Sequence, residues 1–128
     1  MKKVLLDTNF LLLPGQFMID IFTQIEGLME YPYKLCVVDK TIGEIKKIVE
    51  TGNTRDKRSA KMALMLIKQK GLKTLRSFSH KGVDDLIVDK SDDDTYVATQ
   101  DKGLKKRLKE KNIKVITLKQ KKYLRFEG

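Results

Sequence analysis

Cysteine and histidine occur once each in the 128 residues, and proline only twice. Cys36 lies in the apolar run Leu35-Cys36-Val37-Val38 and has no partner for an internal disulfide, so it reads as a buried structural thiol. Such sparse cysteine suits a reducing cytoplasm, which is where the sequence places the protein. His80 falls in an expected loop, where a solvated imidazole is the natural reading. Long apolar runs are missing as well. Val4 to Leu13 is interrupted by Asp7, Thr8 and Asn9, which argues against a signal peptide. No stretch approaches the roughly 20 apolar residues needed to cross a bilayer. Repeats, low-complexity segments and linkers are absent too, and the expectation is one domain over residues 1–128.

Acid is in short supply: 17 Asp and Glu face 27 Lys and Arg, a formal net charge of +10. A field of that sign favours polyanions such as nucleic acid or an anionic membrane surface. A basic, soluble surface with no ligand has the same composition, so charge alone does not decide. The 41% of hydrophobic residues is enough for a core.

Lys3 to Asp7 is a short apolar run suited to a buried strand, and Pro14-Gly15 predicts a turn. From Gln16 to Glu30, apolar residues at three- and four-residue spacing predict one amphipathic helix. A strand is expected over Leu35–Val38, then a helix ending near Gly52, then a helix from an N-cap at Thr54 to Lys70. Leu72–Phe78 predicts a strand, Gly82 opens a compact helix, and Ser91–Asp94 is a polar loop with its three aspartates in solvent. Tyr96–Thr99, Lys102–Lys111 and Ile113–Leu118 complete the pattern as strand, basic helix and last central strand. Short, nearly continuous apolar strands alternating with helices imply a mainly parallel sheet covered on both faces. The expected fold is a three-layer α/β/α sandwich.

In such sheets ligands bind beyond the carboxyl ends of the strands. Four acids from distant parts of the chain map to that edge: Asp7 closing the first strand, Glu44, Asp84, and Asp101 at the start of the basic helix. Carboxylates brought together repel, so their pKa values rise or a cation neutralises them. Hard divalent ions take oxygen ligands, and such a site can activate water against a phosphodiester. Each acid alone has a structural alternative. Asp7 and Asp101 can act as caps, Glu44 can pair with Lys40 or Lys47, and Asp84 and Asp85 can serve as first-turn acids of their helix.

The motifs Asp7-Thr8-Asn9, Thr41-Ile42-Gly43-Glu44-Ile45, Asp84-Asp85-Leu86-Ile87 and Thr99-Gln100-Asp101 resemble those of PIN-domain nucleases, in the family's order and across nearly the whole chain. Val97 to Leu108 is the most specific piece; it is similar to the branch that holds the small-subunit processome endonuclease and its archaeal relatives, with VapC-type toxins slightly more distant. The resemblance implies a Rossmann-like PIN fold and a single-strand-specific endoribonuclease using Mg²⁺ or Mn²⁺. It implies Asp7, Glu44, Asp84 and Asp101 as the catalytic and metal-holding acids. Asn9 and Thr99 would orient acids or waters, and Asp85 is the alternative to Asp84. A homodimer, and an antitoxin or ribosome-assembly factor as partner, follow from the same resemblance.

RNA would be held by Lys102, Lys105, Lys106 and Arg107 on the basic helix, and by Lys121, Lys122 and Arg125 in the tail. Tyr123 and Phe126 can stack on bases, although an edge strand packing them on the core is the stronger reading. A membrane-surface helix is disfavoured, since Lys102–Lys111 has few apolar residues besides Leu104 and Leu108. Haloacid-dehalogenase-type phosphohydrolases need a second Asp two positions after the first, where this chain has Asn9. No glycine-rich turn for a dinucleotide follows the first strand. The remaining alternatives are a non-catalytic RNA-binding scaffold in ribosome assembly and a toxin ribonuclease.

Overall fold

The computed structural model describes residues 1–127. They form one six-stranded sheet in the order β3-β2-β1-β4-β5-β6. The strands are β1 (Lys2–Leu6), β2 (Tyr33–Val38), β3 (Lys73–Leu75), β4 (Thr95–Ala98), β5 (Lys114–Lys119) and β6 (Tyr123–Phe126). Pairing is parallel from β3 through β5, with Val4 opposite Leu35 on one side and Tyr96 on the other. Only β6 runs antiparallel, pairing Leu124 with Leu118.

Successive strand side chains point to opposite faces, and the sheet separates two cores on that basis. Val4, Leu6, Val37, Tyr96, Ala98 and Ile116 face the first core. It is completed by α1 (Thr8–Phe17), α2 (Ile21–Leu28), α3 (Asp39–Thr51) and α4 (Thr54–Gln69). Leu5, Cys36, Val38, Val97 and Val115 face the second core, closed by α5 (Val83–Lys90) and α6 (Lys102–Glu110). The three-layer sandwich expected from the strand–helix alternation is therefore present, and Cys36 is buried as anticipated. Among the described residues no helix is long and apolar enough to cross a membrane.

Four local expectations are corrected. Pro14-Gly15 is not a turn: both lie inside α1, which begins directly after Asp7. Gly15 is needed there because a Cβ would stand 2.6 Å from the Ser59 Cα where α1 crosses α4. The apolar periodicity over Gln16–Glu30 in fact spans two helices. Met18 takes a left-handed conformation (φ 54°) that ends α1, and Asp20 starts α2 by accepting the Thr23 N–H at 3.1 Å. The spacing survives the break because both helices bury their apolar faces in the same core. Asn53, not Thr54, caps α4, accepting the Asp56 N–H at 2.8 Å. Finally, the strand expected over Leu72–Phe78 shrinks to Lys73–Leu75, because only β2 is available to pair with it. Residues 76–82 form a loop instead.

At the other edge, Tyr123 and Phe126 lie in a strand, as the stronger sequence reading held, but both rings are exposed and Leu124 is the residue of that strand that enters the core. The Phe126 ring packs 5.8 Å from that of Tyr96.

Candidate active site

The pairing of β1 with β4 continues one step past the strands: the Asp7 N–H donates to the Ala98 carbonyl at 3.0 Å. That step brings Asp7 beside Thr99, 92 positions away. Asp7 is 4% exposed and both its oxygens are engaged. Oδ1 accepts the Thr8 N–H at 2.8 Å, which caps α1, and Oδ2 accepts the Thr99 hydroxyl at 2.8 Å. Thr99 is fully buried, and its Oγ1 also accepts the Asp101 N–H at 3.1 Å. One hydroxyl thus bridges two of the acids. Asp101 in turn caps α6 by accepting the Leu104 N–H at 2.7 Å through Oδ1. The capping roles weighed for Asp7 and Asp101 are real, and they coexist with a place in the site.

Glu44 lies on α3, where its Oε1 accepts the Thr8 hydroxyl at 2.6 Å; the hydroxyls of Thr8 and Thr41 are 3.3 Å apart. Asp84 is in the first turn of α5. Asp7, Glu44, Asp84 and Asp101 all line one open cleft of about 900 Å³, together with Thr8, Asn9 and Asp85. Among the described residues none of these four acids is ion-paired. Asp85 differs, binding the Arg107 guanidinium at 2.9 Å. That pair occupies Asp85 and leaves Asp84 as the member of the doublet without an ion pair among the described residues. Asn9 faces the cleft but makes no hydrogen bond to an acid among the described residues, whereas Thr99 does.

The electrostatics follow from this crowding. Burial, with the Asp84 and Asp101 charges nearby, lifts the Asp7 carboxyl to about 6, against the pull of its Thr99 and Thr8 hydrogen bonds. Asp84 is raised in the same direction, by burial first and then by Asp101, with Glu44 and Asp85 adding and Arg107 opposing. Three helices, α1, α5 and α6, present their N-terminal ends here, with Asp7 and Asp101 as caps and Asp84 in a first turn. Their partial positive charge eases the repulsion and favours an anion in the cleft.

Sequence reasoning missed three parts of this arrangement. Thr8 was visible inside Asp7-Thr8-Asn9, but its role as donor to Glu44 depends on where α3 packs. Lys47, Ile48 and Thr51 form a wall of the cleft because they lie one or two helical turns beyond Glu44. Asp39 and Lys40, at the start of α3, anchor the 76–82 loop that leads to Asp84. Asp39 accepts the Ser77 N–H and hydroxyl, both at 2.8 Å, and the Lys40 ammonium donates to the carbonyls of Ser79 and Lys81.

The basic residues are more dispersed than a single RNA-binding helix face implies. Arg107 turns into the acid cleft. Lys102, Lys105, Lys106 and Lys109 line a separate groove between α6 and β5. Lys105 is tied down there, donating to the Thr117 hydroxyl at 2.6 Å and pairing with Glu127 at 3.4 Å. Lys121 and Lys122 sit in the β5–β6 turn, at the same sheet edge as the acids, with the Lys121 ammonium 5.4 Å from the centre of the Phe17 ring. Arg125 is on the exposed face of β6.

Comparison with known proteins gives a consistent result. The model of a family described as "PIN like domain" matches residues 4–121. Ribonuclease VapC4 of Methanocaldococcus jannaschii is 29% identical over 130 residues, an alignment that spans 100% of this chain and 98% of that protein. The solved structure of the PIN domain endonuclease Utp24 superposes with a TM-score of 0.80 at 26% identity, covering 98% of this chain and 90% of that one.

Proposed function

Since the chain belongs to the PIN-like domain family, we propose that its cleft is the active site of a divalent-metal-dependent endoribonuclease acting on unpaired RNA. One observation carries the reading. Four carboxylates from four separate elements share a cleft, none of them ion-paired among the described residues, and the most buried, Asp7, holds its proton up to about pH 6. Such an arrangement is electrostatically costly unless a cation completes it.

The donor set suits Mg²⁺ or Mn²⁺: it is all oxygen, and it contains neither sulfur nor imidazole. Among the described residues no three of these side chains are gathered closely enough to make a ready cage. That openness fits an ion that keeps several waters and uses only one or two carboxylates directly. Asp7, Glu44, Asp84 and Asp101 would hold it, and when bound it supplies an activated water and neutralises charge on the phosphate. The protein's own groups do the rest. Thr99 fixes the Asp7 carboxylate and Thr8 fixes that of Glu44. Lys47 and Arg107, both lining the cleft, hold a phosphodiester against the acids. Lys102, Lys106, Lys121, Lys122 and Arg125 extend the attraction along the strand without reading its sequence, Lys105 being held by Thr117 and Glu127.

The test is cleavage of a labelled RNA with paired and unpaired segments in Mg²⁺, Mn²⁺ or EDTA, beside Asp7→Asn. Metal-dependent cuts in unpaired segments that vanish in the variant are expected. RNA binding without cleavage in any metal would instead identify a scaffold. The likenesses to VapC4 and to Utp24 both run over nearly the whole chain, so they support a toxin setting with an antitoxin partner and a role in ribosomal RNA processing alike. Toxicity on expression, relieved by a neighbouring gene product, distinguishes the two.

A further inference from the structure

The loop between β3 and α5 carries the least covered aromatic ring of the described residues. Phe78 is 95% exposed and belongs to neither core. Of the other exposed rings, Phe17 lies under Lys121, Tyr31 under Lys2, and Phe126 packs against Tyr96, while Tyr123 is only 40% exposed. Yet Phe78 is not on a slack tether. Ser77 is held by Asp39 through two hydrogen bonds, and Lys40 grips the carbonyls of Ser79 and Lys81. The Lys81 N–H closes on the Ser79 hydroxyl at 3.0 Å. Both neighbours of Phe78 are thus pinned to α3, the helix that carries Glu44, and the ring is presented to solvent instead of folding inward.

Its position gives it a use. Phe78 is four residues before Gly82, the first residue of this segment to line the acid cleft, so the two Cα atoms lie within about 14 Å. The segment Arg76 to Lys81 contains no acid and carries Arg76 and His80, with Lys81 already paired to Asp89 at 2.6 Å, so a polyanion can approach it through Arg76. An aromatic face beside a cationic backbone path is how unpaired strands are held without sequence preference.

We propose that Phe78 is a stacking platform for an unpaired RNA base flanking the phosphodiester in the cleft, and so contributes to the enzyme's preference for single strands. The cleft as a ribonuclease site is the reading on which this rests. Paired bases cannot splay out onto the ring, so duplex RNA gains nothing from it.

The chain has no tryptophan, so Phe78→Trp installs a single tryptophan, excited selectively over the tyrosines, at the position in question. In EDTA, where RNA is bound but not cut, a short single-stranded oligoribonucleotide should quench its emission. The same strand in a duplex, or inorganic polyphosphate, should not. With metal, Phe78→Ala should raise KM for single-stranded RNA about 5- to 150-fold, with kcat within a factor of about two, and Phe78→Trp should restore KM. Binding of RNA without quenching, or equal quenching by polyphosphate, overturns the proposal. So does conversion of a dimer to a monomer by Phe78→Ala, which would show the ring covered by a second copy. Failure of the wild type to cleave RNA in any metal would sink the nuclease reading on its own, because the quenching experiment requires no catalysis.

Discussion

Replacing Asp7 by Asn should abolish cleavage and at the same time make the metal-free protein more stable. The unfolded chain releases the Asp7 proton near 3.8, whereas the folded protein keeps it until about 6. Between those values the native state binds more protons than the unfolded one, so stability falls as pH rises through the window and stays lowered above it. The gap corresponds to about 3 kcal/mol at pH 7.5. With Asp7 only 4% exposed, solvent screening removes little of that. Asn cannot accept both the Thr8 N–H and the Thr99 hydroxyl as the carboxylate does, and the lost hydrogen bond costs about 1 kcal/mol. The net expectation is a variant about 2 kcal/mol more stable at pH 7.5, or about 5–10 °C in Tm. Thermal and urea unfolding followed by circular dichroism in EDTA, at pH 7.5 and 4.5, would measure it. The advantage should shrink at pH 4.5, where the wild-type carboxyl is also neutral. Saturating Mg²⁺ should reduce it at pH 7.5, because the wild type, with Asp7 among its ligands, gains more native-state binding energy from the ion than the variant does. A variant less stable than wild type at pH 7.5, or a difference that ignores pH, would refute the account of Asp7 as a cation-deficient carboxylate.

Cleavage at limiting Mg²⁺ should fall as pH drops through about 6, since a protonated Asp7 cannot hold the ion, and higher Mg²⁺ should move that limb to lower pH by competition; a pH–rate series at two metal concentrations reads both. Thr99→Val removes the donor to Asp7 and the acceptor for the Asp101 N–H, so the acid limb should move to higher pH with a loss of about 1–3 kcal/mol in stability. An unchanged pH profile in that variant would show that the bridge does not tune Asp7. Gly15→Ala forces a methyl into Ser59 where α1 crosses α4 and should cost about 1–3 kcal/mol by urea denaturation. The same change at Gly43, whose added Cβ meets nothing, should not destabilise.

The parts legible in the sequence are those governed by local pattern. Val4-Leu5-Leu6 and Tyr96-Val97-Ala98 read as buried strands because both their faces are covered, leaving no polar alternation to confuse them. The four acids could be assigned to one sheet edge because Asp7 ends a strand, Asp84 and Asp101 open helices and Glu44 lies early in α3, and topology alone then determines the side on which they lie. Whatever needed tertiary detail was not legible. The Thr99–Asp7 bond joins residues 92 apart and exists only through the β1–β4 register. Pro14-Gly15 resembles a turn, but burial of Pro14 and the tight crossing at Ser59 keep both residues helical. Charge counting put Arg107 among general RNA contacts, although its partner Asp85 draws it into the cleft.

The two strands that position Asp7 and Thr99 lie at the centre of the sheet, whereas Asp84 is reached through a loop suspended from the Asp39 and Lys40 side chains. Amide exchange should divide the site accordingly. The Asp7 and Thr99 amides, bonded to Ala98 and Ile116, should exchange only when the whole protein unfolds. Amides of the loop before Asp84 can exchange through local opening. The acids of the cleft are therefore held by different means: Asp7 by the sheet itself, and the approach to Asp84 by four side-chain hydrogen bonds to α3.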